Sequence, residues 1–431
     1  MSDDELAGLP NGLSRVGGIF SRRRLLGTTT MAVAGAALAA GQQANAQQPQ
    51  NVRIGEANAS ASDPGPENEA LKALNPNSFT PPPTDRGLPQ MFWNSFSMMH
   101  CVQDGGWSRQ VNVHDFPIST EIAGVNMRLT AGGIRELHWH KADEWALMLN
   151  GNCRLTALNF DGSTFVGDVT AGDLWYFPTG VPHSLQGLGP EGCEFLLVFD
   201  DGRFSEDDTT LLSDWMIHTP REVLAKNWGV AKDALDPLKT IPADGRYIFQ
   251  APVPPPLEQD KQAVIRDGRA ATTAFQFRMM QMKPQKSTKG GEVRIVDSTN
   301  FPVAANIAMA HVTPKPGALR ELHWHPNADE WQYYIQGSGR MTVFFNRATA
   351  RTIDFRPGDV GYVPQTLGHY IENTGDSDLV FLQMFKTPRY QDFSLNDWLT
   401  HIPPELVIDH LGISQQTLAA IPRANNAVLP A

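Results

Sequence analysis

Cysteine is scarce: Cys101, Cys153 and Cys193 are the only three in 431 residues. An odd, sparse set excludes a disulfide framework, although it leaves room for one bridge. Positive charge is in deficit too. Acidic residues outnumber basic ones 46 to 35, a formal charge of −11, and no basic run occurs beyond the N-terminus. Nucleic acid and anionic lipid are therefore excluded as general partners, and capture of an anion falls to individual arginines. Long apolar runs are also missing. The nearest approach, MAVAGAALAAG, is built of small residues and is too short and too weakly apolar for a membrane span.

What surrounds that stretch gives it another reading. Ser21-Arg22-Arg23-Arg24-Leu25-Leu26 precedes it and Ala44-Asn45-Ala46, an A-x-A-like cleavage site, closes it. Residues 1–46 resemble a twin-arginine export signal, a type that carries folded proteins across the bacterial inner membrane. An ordinary secretory signal is the alternative. Either way the mature chain starts near Gln47 and is expected in the periplasm or outside the cell, without stable membrane association. Residues 47–90, rich in Gln, Asn, Pro and Ser, read as an extended arm.

The rest is written twice. RELHWH occurs at 135–140 and again at 320–325. In a strand successive side chains take opposite faces, so His138 and His140 share one face, as do His323 and His325. The repeat extends further: Glu144 and Glu330, His183 and His369, and Phe199 and Phe385 recur at an offset of 186. Trp215 and Trp398 recur at 183, so three residues are lost between the last two landmarks. Short apolar strands punctuated by Gly, Pro, Asn and Asp fill both copies, with helices such as SDWMIHTPREVLAKNW near the ends. This texture predicts an all-β chain of two barrels or double-sheet jelly rolls. The first spans 91–235 and the second 272–425, joined by a Pro-rich linker at 236–271 containing APVPPPLEQD.

Each copy resembles the cupin signature G-x5-H-x-H-x3,4-E-x6-G followed by G-x5-P-x-G-x2-H-x3-N. The first supplies Gly132, His138, His140, Glu144 and Gly151, then Gly172, Pro178, Gly180 and His183, with Gly187 where Asn is usual. The second supplies Gly317, His323, His325, Glu330 and Gly337, then Gly358, Pro364, His369 and Asn373, with Thr366 replacing the middle glycine. The departures fall at turns, not at ligands. The resemblance implies two tandem cupin barrels, each binding a divalent transition metal through three imidazoles and one carboxylate. That set favours Mn or Fe over Cu without choosing between them. His100, His114, His218, His311, His401 and His410 lack the spacing and read as surface or core residues.

A narrower resemblance is carried by PPPTDRG, FPISTEIAGVNMRLTAGGIRELHWHKADEW, FDDGRFSE and SLNDWL. These segments look like the bicupin oxalate decarboxylases. That family implies one Mn2+ in each barrel, two per chain, with dioxygen as catalytic co-substrate. It further implies cleavage of oxalate to carbon dioxide and formate, and homo-oligomers, trimers or paired trimers. Arg135 and Arg320, three residues before the first histidine of each copy, are suited to the dianion because guanidinium is permanently charged and forks onto carboxylates. A bulge must separate each from its histidine, since residues three apart in a strand face opposite ways.

The family carries a catalytic acid on a mobile loop reading like Ser-Glu-Asn-Ser-Thr. Here the sequence is Ser205-Glu206-Asp207-Asp208-Thr209, which places Glu206 as the acid. The three-residue deletion removes this segment from the second copy. Where relatives carry an acid in a strand like FLEIF, this chain has Gln383, which cannot exchange a proton near neutral pH. The expectation is catalysis in the first barrel and a supporting metal in the second. Three other readings stand beside it: an oxalate oxidase yielding peroxide, a non-catalytic metal-binding bicupin, and a dioxygenase of aromatic substrates.

Overall fold

The computed structural model describes residues 92–96, 101–243, 245–265 and 269–431, so the expected signal and arm lie outside it. Alternating apolar side chains force strands whose two faces must both be covered. In barrel 1 these are Gly106–Val111 (β1), Ala123–Leu129 (β2), Gly133–Trp139 (β3), Glu144–Leu158 (β4), Thr164–Thr170 (β5), Leu174–Phe177 (β6), His183–Gly187 (β7) and Cys193–Phe199 (β8). They pair antiparallel as β1-β2-β8-β4-β6 in one sheet and β3-β7-β4-β5 in the other. β4 serves both sheets by bending at Gly151, whose φ of 71° is left-handed and whose missing Cβ would overlap the Gly192 carbonyl oxygen.

Thr210–Leu211 (β9) then returns to the edge of β3, and the helices Leu212–His218 (α1) and Arg221–Trp228 (α2) follow. Barrel 2 repeats the plan in Gly291–Val296 (β10), Ala308–Pro314 (β11), Leu319–Trp324 (β12), Glu330–Gln336 (β13), Gly339–Phe344 (β14), Ala350–Phe355 (β15), Asp359–Val363 (β16), Gly368–Asn373 (β17), Val380–Phe385 (β18) and Phe393–Ser394 (β19). The long strand of barrel 1 is here two strands, β13 and β14. The chain closes on short helices such as Pro404–Leu411. The all-β double barrel expected from the sequence is what forms.

Three cores follow from strand periodicity. Val125, Met127, Met148, Leu155, Trp175, Leu185 and Leu197 fill barrel 1, and Val312, Tyr334, Met341, Val343, Phe355, Ile371 and Phe381 fill barrel 2. The opposite faces of the same strands do not meet water. Trp145, Leu147, Tyr176 and Val198 of barrel 1 pack with Trp331, Tyr333, Tyr362 and Met384 of barrel 2. Strands buried on both sides read as continuous apolar runs, which is why EWALML and FLLVF show no alternation. Each such aromatic side chain contributes about 1.5–3 kcal/mol by burial, so the two barrels stabilise one another.

The linker is more than a spacer. Its strand Ile248–Gln250 adds to the edge of β3, opposite Gly133–Arg135. Val428–Leu429 adds to Leu319 and Arg320 of β12 in the same manner, so barrel 2 continues past residue 425. Cys153 and Cys193 are buried free thiols.

Candidate metal centres and the lid of barrel 1

β3 delivers His138, and the residue after its end delivers His140; Trp139 points away and meets Trp215 edge to face. His138 pairs across the ladder with His183 at the start of β7, and Glu144 opens β4. The four ligand atoms lie within 4.8 Å of one another, and the corresponding atoms of His323, His325, Glu330 and His369 do the same. All eight side chains are buried. Glu144 Oε2 is 3.2 Å from His140 Nε2 and 3.3 Å from His183 Nε2. Glu330 Oε2 is 2.9 Å from both His325 Nε2 and His369 Nε2.

Every imidazole is oriented by backbone. Nδ1 donates to the carbonyl of Glu136, Ala142 or Val181 in barrel 1, and of Glu321, Gln391 or Leu367 in barrel 2. A carbonyl only accepts, so where a ring is neutral its Nε2 carries a lone pair turned toward the other ligands. Convergent lone pairs and a carboxylate suit a divalent cation, so the residues fit a metal in both barrels. Burial, reinforced by Arg135, holds His138 well below the ordinary imidazole pKa; burial and Arg320 do so for His323. Burial pushes the carboxyls of Glu144 and Glu330 up, but the surrounding imidazoles outweigh it and hold both below the usual range.

The two centres differ in how the outer carboxylate oxygen is held. Glu144 Oε1 accepts from Trp175 Nε1 at 2.8 Å. Glu330 Oε1 accepts from Gln332 Nε2 and Gln383 Nε2, both at 2.7 Å. Gly361 makes the second arrangement possible, because a Cβ there would strike the Gln332 side chain. Gln383 therefore supports a ligand.

Both arginines are buried, and a bulge lies between each and its histidine, at Arg135/His138 and Arg320/His323. The parity required of the strands is thus met, and the guanidiniums turn to the ligand side. Arg135 Nη2 donates to Glu206 Oε2 at 2.7 Å, Nη1 to the Tyr247 carbonyl at 3.4 Å, and the guanidinium lies 4.2 Å from the Tyr247 ring centroid. Its buried Nε has no partner among the described residues. Glu206 sits in a single 3₁₀ turn, Glu206–Asp208, capped by Ser205; Glu206 is buried while Asp207 and Asp208 are exposed.

Arg320 is occupied on every side by the chain itself. Nη2 donates to Asp392 Oδ2 and to Tyr390 Oη, both at 2.8 Å, Nη1 to the Ala427 carbonyl at 3.3 Å, and Nε to Gln383 Oε1 at 3.5 Å. The second copy does lack the Ser205–Thr209 turn. It nevertheless brings a carboxylate, Asp392, to its arginine. Asp392 and Tyr247 escape sequence reasoning because one follows a deletion and the other sits in the linker. Of the remaining histidines, His311 is buried in β11 and His114, His401 and His410 are exposed; His100 lies outside the described residues.

The Cupin family profile matches residues 99–235 and 279–419. The oxalate decarboxylase OxdC of Bacillus subtilis is 47% identical over 365 residues, 84% of this chain and 93% of its own length. The chain belongs to the bicupin oxalate decarboxylase family. A probable oxalate decarboxylase of Arthroderma benhamiae is 38% identical over 85% of this chain and 90% of its own. A structure of the Bacillus subtilis enzyme at pH 4.6 superposes with a TM-score of 0.79 at 46% identity, over 89% of this chain and 97% of that one. Another, concerned with the EPR of its Mn(II) centres, gives 0.80 at 45% identity over 89% and 99%. Relatives matched over nearly their whole length make this bicupin an enzyme of oxalate decarboxylation.

Proposed function

We propose that barrel 1 carries out manganese- and dioxygen-dependent decarboxylation of hydrogen oxalate to formate and carbon dioxide, while barrel 2 holds a supporting metal. One observation carries the assignment: among the described residues nothing partners the buried Nε of Arg135, whereas each nitrogen of Arg320 is engaged within the chain. An incoming carboxylate can fork onto Nε and Nη2 of Arg135 once Glu206 moves aside. At Arg320 it would have to displace Asp392, which Asn425 and Tyr390 also hold.

Manganese held by the three histidines and Glu144 would supply one-electron chemistry with dioxygen. The residues around it handle charge and protons. Arg135 orients the substrate, and the Tyr247 ring covers the guanidinium and keeps it from water. Displaced from Arg135, the Glu206 carboxylate takes the proton of hydrogen oxalate and returns it to carbon after the C–C bond breaks. The proton ends as the C–H of formate, so the acidic hydrogen of hydrogen oxalate is used up while Glu206 returns to the carboxylate it began as. Oxidation of the same substrate by dioxygen to two carbon dioxides and hydrogen peroxide is the competing outcome when that proton is late.

The test is Glu206→Gln, with formate, carbon dioxide, peroxide and manganese measured together. Formate output is expected to fall at least about 100-fold, as for a lost general acid, with manganese unchanged and peroxide per oxalate raised. Near-normal formate would move the chemistry to barrel 2. We further propose export to the periplasm or beyond through residues 1–46 and assembly into a homo-oligomer; the signal-like sequence and the family resemblance support these.

A further inference from the structure

The pairing that holds Glu206 against Arg135 is the one that oxalate must break, so the turn needs another anchor if it is to stay in place during catalysis. β1 provides it. Gln110 Oε1 accepts from the backbone N–H of Glu206 at 3.1 Å, and its Nε2 donates to Ser205 Oγ at 3.3 Å. One residue pair further along β1 and its extension, Asn112 Nδ2 donates to the Phe204 carbonyl at 3.1 Å, while the Phe204 ring stacks on Phe199. The Asn112 and Phe204 contacts fix the stem; the Gln110 contacts reach from β1 to the backbone beside the acid.

We propose that Gln110 is a positioning residue that latches the turn through its backbone and so uncouples release of the Glu206 side chain from opening of the loop. None of the Gln110 contacts uses the Glu206 carboxylate. The carboxylate can therefore swing off Arg135 as substrate arrives while its own peptide stays fixed. It then remains within reach of the substrate, and bulk water is kept out until the proton has been returned. Barrel 2 offers a comparison within one chain. Gln110 faces Val125 in its ladder, and Ile295 faces Ala310 at the corresponding register, an offset of 185 in both cases. Ile295 has no amide to give, and the turn it would have held is absent. Amide and lid occur together in barrel 1 and are missing together in barrel 2.

The inference rests on Glu206 being the proton carrier, and the experiment separates the two. Gln110→Leu removes both hydrogen-bonding atoms at similar volume, and Gln110→Met serves if the branched side chain disturbs the strand. Purified full-length enzyme is assayed for formate and peroxide, for manganese content, and for trypsin nicking after Arg203, an exposed residue at the base of the turn. With saturating oxalate, formate turnover should fall about tenfold, the scale of losing two ordinary hydrogen bonds. Peroxide per oxalate consumed and nicking at Arg203 should both rise several-fold, at unchanged manganese and unchanged melting temperature. The parental product ratio together with parental nicking in a variant that holds manganese overturns the latch. Glu206→Gln is run in parallel: if it is crippled while Gln110→Leu behaves as the parent, only the latch fails. If Glu206→Gln is itself near normal, the reading beneath it fails.

Discussion

Asp392 Oδ2 stands 2.8 Å from Arg320 Nη2, reproducing in barrel 2 the 2.7 Å contact of Glu206 with Arg135. The two pairs use the same charges but not the same anchorage. Glu206 rides on a turn with two exposed aspartates, whereas Asp392 is also bound by Tyr390 Oη and by Asn425 Nδ2.

Asp392→Asn should therefore act on stability and not on turnover. Removing one partner of a buried ion pair leaves an uncompensated charge on Arg320 and costs about 3 kcal/mol. Burial pushes the Asp392 carboxyl up, yet the attraction of Arg320 outweighs it and the pKa lies below the usual range. The contribution is thus full above the unfolded carboxyl value near 3.8 and is lost as pH falls below it. Urea midpoints at neutral pH should drop in the variant, while formate turnover stays within about twofold of the parent. A loss of turnover as large as that expected of Glu206→Gln would place catalysis in barrel 2.

His140→Ala should remove about one metal ion per chain, since each centre is complete within its own barrel. Inductively coupled plasma analysis reads this directly. Loss of both ions would mean the centres are interdependent through the shared aromatic core. Two tightly held zinc ions in active protein would defeat the manganese assignment.

Stability should also fall on mild acidification, through His311. Burial, assisted by Arg294, lowers its pKa from 6.5 to about 4. Between those values the unfolded chain binds a proton that the folded one refuses, so stability is greatest above pH 6.5 and declines toward pH 4. The decline is worth up to about 1.4 kcal/mol per pH unit. His311→Asn installs the residue found at the corresponding barrel 1 position, Asn126, and should flatten this part of the pH–stability curve. An unchanged slope in urea melts from pH 7 to 4.5 would show that another group carries the proton.

Replacing Arg22 and Arg23 by Lys should leave precursor inside the cell, because a twin-arginine receptor reads the pair as an address and not as charge. Fractionation followed by immunoblotting gives the answer. Export of the Lys-Lys form at the parental level would assign residues 1–46 to the general secretory route.

The sequence by itself determined the double barrel and the eight metal-binding side chains. Those features are local: strand periodicity puts His138 and His140 on one face, short loops bring Glu144 to them, and a second copy 185 residues on checks the reading. It also demanded the bulge before His138 without being able to show it. Tertiary structure alone decided how the two centres differ. Tyr247 reaches Arg135 from 112 residues away, Asp392 reaches Arg320 from 72, and Gln110 reaches Glu206 from 96. Such contacts depend on which strand edge the linker and the C-terminal segment join, and on where the chain re-enters after a three-residue deletion. No periodicity records that choice; it is set by which edges of β3 and β12 are left open once each barrel has closed.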